Sequence, residues 1–182
     1  MELSAICAEG SIRGELEAGV TAIFEKVIYP LELALNCVTG PPLKLKASGA
    51  PIVIITGGEP TMYPLEKLTR MLKEEGLLVH LETSGAYNIT GEIDWICVSP
   101  KKRKSPLTES LQKADELKVV IYNKDDFKWA EQNADTVKEK CMLFLQPEWS
   151  RADSMMPSIT EYIKHTPQWR VSLQTHKYLN IR

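Results

Sequence analysis

Short apolar runs alternate with amphipathic segments from residue 51 to the end of the chain. Residues 52–56 (IVIIT) form a continuous apolar and β-branched run, which is typical of a strand buried on both faces, and Gly57 and Gly58 interrupt it. Apolar residues between positions 65 and 72 recur at three- and four-residue spacing and predict a helix that ends at Gly76. This region therefore predicts one unit of strand, loop and helix.

The same alternation continues through the rest of the chain. Further strands are predicted at 77–83, 95–98, 117–122, 142–145 and 169–173. Helices are predicted through 127–134, with Asn123 and Asp125 marking the start, and around 159–165. Strands that alternate with helices predict an α/β protein, with a parallel sheet covered by helices.

Residues 1–50 do not continue this pattern. Positions 15–35 carry enough apolar residues for one or two helices, but Pro30, Pro41 and Pro42 interrupt any long periodic stretch. We therefore divide the chain into a divergent N-terminal segment, residues 1–50, and an α/β region, residues 51–182.

Bulk properties exclude several classes of partner. The chain has 182 residues and a net charge of −2. A domain of this size and charge has one core and no basic field for nucleic acid or anionic lipid.

We expect a cytoplasmic protein without a membrane span, because neither a long apolar run nor a signal peptide is present. The cysteines, Cys7, Cys37, Cys97 and Cys141, stand singly, and free thiols are expected.

Polar and small residues follow each predicted strand. Ligands of parallel sheets gather at the carboxyl ends of the strands, so these residues are the candidates for a binding site. They are Thr56 to Pro60, Glu82 to Gly85, Ser99 to Lys101, Gln146 to Trp149 and Gln174 to Lys177. Paired glycines allow close approach of the backbone to a ligand. Glu59 or Glu82 with Lys101 could bind the ammonium and carboxylate of an amino acid.

Each of these residues also has a simpler interpretation. The sequence GGEP is a common turn, and a histidine after a strand, such as His176, is usually a surface or hydrogen-bonded residue. Alternation favours a core position for His80, and Cys97 is expected in the core too. The basic segment 101–104 (KKRK) is more typical of a solvated loop than of a nucleic-acid patch.

Taken together, six ordered strings resemble a known family. They are TGGEPTMYP, HLETSGAY, DWICVSPKK, ADELKVVIYN, LQPEWS and SLQTHKYLNI. In order and spacing they resemble 7-carboxy-7-deazaguanine synthase, a radical S-adenosylmethionine enzyme. The resemblance covers residues 51–182 and implies an incomplete TIM-like, partial parallel β/α barrel whose first strand is missing or replaced here.

The resemblance also implies roles for individual residues. Contacts to S-adenosylmethionine are implied for Gly57, Gly58, Glu59, Glu82, Ser99, Pro100, Lys101, Gln146, Pro147, Glu148 and Trp149. Substrate contacts are implied for Thr56, for His176 and, through the terminal carboxylate, for Arg182. No residue is implied as an acid, a base or a metal ligand.

The chemistry that the resemblance implies is reductive cleavage of S-adenosylmethionine by a [4Fe-4S] cluster. The resulting radical acts on 6-carboxy-5,6,7,8-tetrahydropterin, which contracts with loss of ammonia to 7-carboxy-7-deazaguanine, assisted by Mg²⁺. The family's Cys-x3-Cys-x2-Cys loop is absent from this chain, as is its N-terminal Gln-Gly-Glu-Gly sequence. We therefore expect no working cluster, and a sharp boundary near Gly49 favours a frameshift, a wrong start or a chimeric gene over gradual drift.

Two alternatives remain beside the family activity. One is a catalytically inactive module that binds S-adenosylmethionine or a partner subunit. The other, an ordinary nucleotide-binding α/β enzyme, is disfavoured because no Gly-x-x-x-x-Gly-Lys or Gly-x-Gly-x-x-Gly pattern follows a strand. A missing first strand would leave a sheet edge exposed, which favours a homodimer.

Overall fold

The computed structural model describes residues 4–6 and 51–178. The chain forms two compact units, Met1–Thr83 with Asn88–Ile96, and Ser84–Tyr87 with Cys97–Arg182. In the first unit, β1 (Ser4–Ile6), β2 (Ile52–Ile55) and β3 (Leu78–Thr83) pair in parallel and in chain order. Helix α1 (Glu66–Glu74) connects β2 to β3 and contacts β3.

The second unit repeats the arrangement with more strands. Its parallel strands, also in chain order, are the end of β4 (Trp95–Val98), β5 (Glu116–Ile121), β6 (Met142–Pro147) and β7 (Trp169–Val171). Its helices are α2 (Thr108–Lys113), α3 (Asp125–Ala134), α4 (Ala152–His165) and α5 (Thr175–Tyr178). Helix α3 contacts β5, and α4 contacts β6 and β7. The predicted α/β architecture with parallel strands is thus confirmed.

In β2, β3 and β5, one face of the strand forms the core. In the first unit the side chains of Val53, Ile55, Val79 and Leu81 are almost completely buried, and the residues between them are partly exposed. In the second unit the same alternation buries Leu117, Val119 and Ile121 of β5. Full burial of such a side chain contributes about 1.5–3 kcal/mol. We call this side the buried face and the opposite, half-buried side the open face.

The helices supply the other half of each core. Leu68 and Leu72 of α1 are buried in the first unit, and Ala130 of α3 and Ile159 of α4 are buried in the second. These residues stand on one face of each helix because their spacing follows the helical period. Trp169 of β7 is buried as well, at 1% exposure.

The predicted elements differ from the observed ones at their ends. Strand β6 continues through Gln146 and Pro147, two residues beyond the prediction, because both pair with β5. Helix α4 begins at Ala152, seven residues before the predicted stretch, and contains Pro157. The short helices α2 and α5 were not predicted, because each has too few residues to show a period.

The N-terminal predictions are only partly covered by the described residues. The helices predicted at 15–35 lie outside them. Strand β1, which no apolar pattern predicted, pairs in parallel with β2. The edge of β2 is therefore occupied, and the reason given for a homodimer no longer applies, although the dimer itself remains a prediction.

Glycine is required where α2 and the turn after β3 approach each other. Gly85 has φ +74°, and a Cβ there would meet Val98 Cγ1 at 3.0 Å and Pro106 Cβ at 3.1 Å. The Gly85 carbonyl also accepts a hydrogen bond from the Leu107 N–H at 2.8 Å. Gly76 has nearly the same φ, +76°, but a Cβ at Gly76 would meet no other atom within 4 Å.

Replacing these two glycines separates backbone strain from crowding. We expect Gly76→Ala to lower the free energy of unfolding by about 1–2 kcal/mol, the cost of a left-handed conformation for an L-residue. Gly85→Ala should cost about 1–3 kcal/mol more, because the added methyl group overpacks its surroundings. Urea denaturation of both variants measures the difference, and equal losses would contradict the crowding at Gly85.

Candidate functional site

The turn after β2 carries the first group of candidate residues. Gly57 has φ +123°, a backbone conformation that L side chains rarely adopt, so glycine is needed there. Glu59 then caps a short 3₁₀ turn, Pro60–Met62, and its Oε1 accepts a hydrogen bond from the Thr61 N–H at 3.2 Å. Pro60 fits the first position of this turn because that position needs no N–H donor.

The Glu59 carboxylate is held by two buried threonine hydroxyls. Its Oε1 lies 2.6 Å from Thr61 Oγ1 and 2.5 Å from Thr83 Oγ1. Thr83 is the last residue of β3 and stands on the buried face, as Val79 and Leu81 do. The turn after β2 is thereby joined to the end of the neighbouring strand.

The open face of β3 carries two ionisable side chains. His80 and Glu82 alternate with the buried row and are half-buried. The His80 ring lies 6.2 Å from the Trp95 ring, centroid to centroid. The prediction that His80 is a packed core residue is therefore only partly met. Cys97 of β4, by contrast, is buried at 4% exposure, as predicted.

Ser99, Pro100 and Lys101 follow β4 in the second unit. Lys101 Nζ lies 3.1 Å from Ser99 Oγ, to which it donates a hydrogen bond, and Pro100 is buried. Lys101 and Lys104 also form an isolated antiparallel bridge, which turns the chain back on itself. The basic segment is thus a tight, solvent-exposed loop, in agreement with its interpretation as a solvated loop.

Two lysines fix this loop to the rest of the second unit. Lys104 Nζ lies 3.4 Å from the centroid of the Tyr87 ring, which is a cation–π contact. Lys102 Nζ donates to Asp126, whose side chain is only 7% exposed. Asp126 also accepts hydrogen bonds from the N–H groups of Tyr122 at 2.7 Å and Asn123 at 2.9 Å. One carboxylate therefore joins the loop after β4 to the turn after β5.

The environment of Asp126 sets its protonation. Burial alone would raise the pKa of this carboxyl. Hydrogen bonds from Lys102, Asn123 and Tyr122 and the lysine's charge outweigh burial, and the pKa lies below its ordinary value of 3.8. Asp126 is consequently an anion at neutral pH and attracts the ammonium of Lys102.

The last group of candidates lies at the end of β6. Gln146 Oε1 accepts a hydrogen bond from Ser172 Oγ at 3.2 Å. Glu148 caps a 3₁₀ turn, Trp149–Arg151, and accepts from the Ser150 N–H at 2.9 Å. The Glu148 N–H donates to the carbonyl of Ile121, so the first residue after β6 still bonds to β5.

Trp149 belongs to a small aromatic cluster. Its side chain is 41% exposed, and its ring meets the Tyr178 ring edge-on with centroids 5.3 Å apart. Lys177 Nζ lies 4.9 Å from the indole centroid. The cluster offers an exposed aromatic surface beside a positive charge.

The predicted site residues are thus found at strand ends within each unit. The first unit brings together Glu59 and the ends of β2 and β3, and the second places Ser99–Lys101 after β4 and Gln146–Trp149 at the end of β6. His176 is a residue of helix α5, and Arg182 lies outside the described residues. The roles predicted for all of these residues remain predictions.

Sequence reasoning did not predict which residues hold the candidate groups in place. Thr61 and Asp126 were not among the candidates, and Thr83 was a candidate strand-end residue without a supporting role. A signal for Thr61 was present, because a hydroxyl residue two positions after a glutamate can return a hydrogen bond to that carboxylate. Thr83 and Asp126 act on residues more than twenty positions away, which no local pattern reveals.

The described residues do not fit an iron–sulfur cluster. Cys97 is buried in β4, and its thiol donates to Glu116 Oε1 at 3.4 Å. Burial raises the pKa of the Cys141 thiol to about 11, which disfavours the thiolate that iron requires. Within residues 4–6 and 51–178, no three Cys, His, Asp or Glu side chains are grouped for a metal ion. Cys7 and Cys37 lie outside the described residues.

Comparison with known proteins identifies the family. No family model matches the chain. It is 54% identical over 132 residues to the 7-carboxy-7-deazaguanine synthase of Flavobacterium psychrophilum, a match that covers 72% of this chain and 63% of the relative. The synthase of Prochlorococcus marinus is 40% identical over 159 residues, which cover 75% of this chain and 70% of that protein. This chain belongs to the 7-carboxy-7-deazaguanine synthase family.

Two further comparisons bear on extent and fold. The synthase of Synechocystis is 50% identical over 130 residues, 71% of this chain. The chain spans 62% of that relative and 63% of the one from Flavobacterium, somewhat less than two thirds of each. The crystal structure of QueE from Escherichia coli matches 74% of this chain with a TM-score of 0.62 and 28% identity, covering 64% of that chain. The fold is therefore the partial parallel β/α barrel that the resemblance implied.

The helices of the α/β region are short, and α4 has 14 residues. In the part of the chain that the structure describes, no helix combines the length and the apolar composition needed to cross a bilayer.

Removing the Asp126 charge should destabilise the protein in a pH-dependent way. We expect Asp126→Asn to lower the free energy of unfolding at neutral pH by about 1–3 kcal/mol, because the buried hydrogen bonds lose their charged acceptor. The pKa of Asp126 is lower in the folded than in the unfolded state, so its contribution is complete above about pH 4 and is lost as the pH falls through the folded-state value.

Urea denaturation of wild type and variant from about pH 6 to about pH 2 measures this, and the difference between their free energies of unfolding should shrink as the pH falls below about 4. The neighbouring, exposed Asp125 provides the control. Asp125→Asn should change the stability by less than about 0.5 kcal/mol at any of these pH values. A constant difference between wild type and Asp126→Asn across the range would contradict the assignment.

Proposed function

We propose that the protein is a 7-carboxy-7-deazaguanine synthase, an enzyme that uses S-adenosylmethionine and converts 6-carboxy-5,6,7,8-tetrahydropterin into 7-carboxy-7-deazaguanine with loss of ammonia. The observation that carries this proposal is the 54% identity over 132 residues to a curated synthase. The structural match to QueE supports it, since it extends over 74% of the chain. The partner is a small pterin in the cytoplasm, and neither nucleic acid nor membrane has a part in the reaction.

The strand-end residues of each unit are proposed as the binding groups. In the first unit, the Gly57–Gly58 backbone with Glu59 and Glu82 takes the amino end of S-adenosylmethionine, and Thr56 contacts the pterin. Gly57 and its positive φ favour a close backbone approach there. A carboxylate held by fixed donors, as Glu59 is, loses little freedom when it meets a cation.

In the second unit, the proposed contacts are Ser99, Pro100, Lys101, Gln146, Pro147, Glu148 and Trp149. Lys101 offers an ammonium to the cofactor carboxylate, and the exposed Trp149 ring offers an apolar surface to the adenosine. His176 and the terminal carboxylate of Arg182 complete the proposed contacts to the pterin. These groups bind and orient, which is the part that a protein plays when a cofactor supplies the chemistry.

A second candidate is favoured by the cysteines. The described residues provide no set of thiolates for the [4Fe-4S] cluster or of oxygen ligands for Mg²⁺, and Cys141 has a raised pKa. A chain that binds S-adenosylmethionine without a cluster would serve as a binding or subunit-interaction module. No step of the reaction is therefore assigned to a cluster held by the described residues.

Anaerobic reconstitution with iron and sulfide separates the two candidates. For the synthase we expect a bound cluster, seen in the visible spectrum and the iron content, and formation of the deazaguanine product by mass spectrometry. Calorimetric binding of S-adenosylmethionine without a cluster would favour the binding module. Absence of both binding and turnover would reject the synthase and the S-adenosylmethionine-binding module.

Lys101 should contribute to cofactor affinity. We expect Lys101→Ala to weaken binding of S-adenosylmethionine by about tenfold, because an ion pair with the carboxylate is lost. Isothermal calorimetry gives the dissociation constants. Lys140, an exposed lysine just before the start of β6 and thus at the opposite end of that strand from Gln146, provides the control. Equal affinities of Lys101→Ala and Lys140→Ala would remove Lys101 from the site.

A further inference from the structure

We propose that Thr83 is a positioning residue that fixes the Glu59 carboxylate, and with it the glycine turn after β2, on the end of β3. The starting observation is the three hydrogen bonds that Glu59 Oε1 accepts, from the Thr61 N–H and from the hydroxyls of Thr61 and Thr83. Two of these donors belong to the turn itself. The third donor, Thr83, belongs to the next strand, so this hydrogen bond ties the turn to β3.

The hydroxyl protons can be assigned from the distances. Thr61 Oγ1 and Thr83 Oγ1 also lie 3.1 Å from each other, but each hydroxyl has one proton to donate. Both protons go to the carboxylate, because an anionic oxygen is the stronger acceptor and because 2.5 and 2.6 Å are typical of hydroxyl-to-carboxylate bonds. The contact between the two hydroxyls is then only a van der Waals contact.

Burial makes this arrangement stiff. Thr83 is 4% and Thr61 is 5% exposed, so water does not readily replace either donor. Thr83 is β-branched and stands in a strand, where its side chain has few alternative rotamers. The carboxylate is therefore held from a rigid element and not from a flexible loop.

The position of Thr83 explains how it would act on the cofactor. Thr83 stands on the buried face, next in sequence to Glu82 on the open face. The hydroxyl of Thr83 is buried and meets Glu59, so we expect its effect on a ligand at the strand ends to pass through Glu59 and the turn 56–60. This inference rests on the proposed function only where it concerns S-adenosylmethionine. The role of Thr83 in fixing the turn, which we call the clamp, rests only on the hydrogen bonds to Glu59.

The central experiment compares Thr83→Val with Thr83→Ser. Valine keeps the shape and removes the hydroxyl, and serine keeps the hydroxyl. We expect Thr83→Val to weaken S-adenosylmethionine binding about fivefold to tenfold, with serine restoring most of the affinity. In a Glu59→Ala background, Thr83→Val should have no further effect, since its route to the ligand is gone.

A second readout does not depend on any ligand. Amide hydrogen exchange of Thr61, Met62 and Tyr63 reports on the turn, because their N–H groups bond to Glu59 or Pro60. Thr83→Val should speed exchange at these amides, and Thr83→Ser should not. If valine prevents folding, Thr83→Ala, which adds no new contact, takes its place.

Thr69 is the matched control. It is a fully buried threonine of the same unit, and its hydroxyl bonds to the Leu65 carbonyl and the Glu92 N–H. Thr69→Val should lower stability but leave both cofactor affinity and exchange of the turn amides unchanged. The same change in Thr69→Val and Thr83→Val, or a Thr83→Val effect that persists in Glu59→Ala, would overturn the proposal.

Failure of the proposed function gives a different result. If the reconstituted wild type shows neither heat with S-adenosylmethionine nor turnover, the synthase and the cofactor-binding module both fail. The exchange comparison then still decides whether Thr83 fixes the turn. Unchanged exchange in Thr83→Val would reject the clamp whether or not the cofactor binds.

Discussion

Burial of one face of strands β2, β3 and β5 is the constraint on which the rest of the structure depends. The buried residues are Val79, Leu81 and Thr83 in β3 and Leu117, Val119 and Ile121 in β5. Because strand side chains alternate, the other face is assigned at the same time, and Glu82 and Gln146 fall on it. Parallel pairing in chain order then brings consecutive strand ends to one edge within each unit. Burial of the apolar face thus determines which strand positions are left for polar side chains.

Carboxylates stabilise the turns at these strand ends in a repeated way. Glu59 after β2 and Glu148 after β6 each cap a three-residue 3₁₀ turn and accept hydrogen bonds from the N–H and hydroxyl of the residue two positions on. Asp126 after β5 accepts from two N–H groups of its own turn and from Lys102. Turn amides that the sheet leaves unpaired therefore find charged acceptors nearby. Glu59 differs from Glu148 because its carboxylate also accepts a hydrogen bond from Thr83, a residue of the neighbouring strand.

Strands and long helices were predictable from the sequence because their signal is local. Residues 52–55, 78–83 and 95–98 were found as strands within one residue, since apolar alternation and breakers suffice to define them. Short elements were missed for the opposite reason: α2 and α5 have too few residues to show a period. The candidate site was predicted as a set of polar strand ends, and the roles of its residues remain predictions. Its supports were not, because Thr83 and Asp126 act across more than twenty residues of sequence.

The same physics limits what a motif alone can say about function. A glutamate after a strand satisfies turn amides whether or not a ligand is present, so GGEP and QPEWS each describe a stable turn before they describe a binding site. The two turns differ in how the carboxylate is held. The Glu59 carboxylate accepts from a buried hydroxyl of the neighbouring strand, whereas the Glu148 carboxylate accepts from the exposed Ser150 and the link to β5 is made by the Glu148 N–H. A rigid anchor to a second strand reduces the entropy lost on binding. Support of this kind, more than the identity of the glutamate, makes the turn after β2 the stronger candidate for recognition of a small charged ligand.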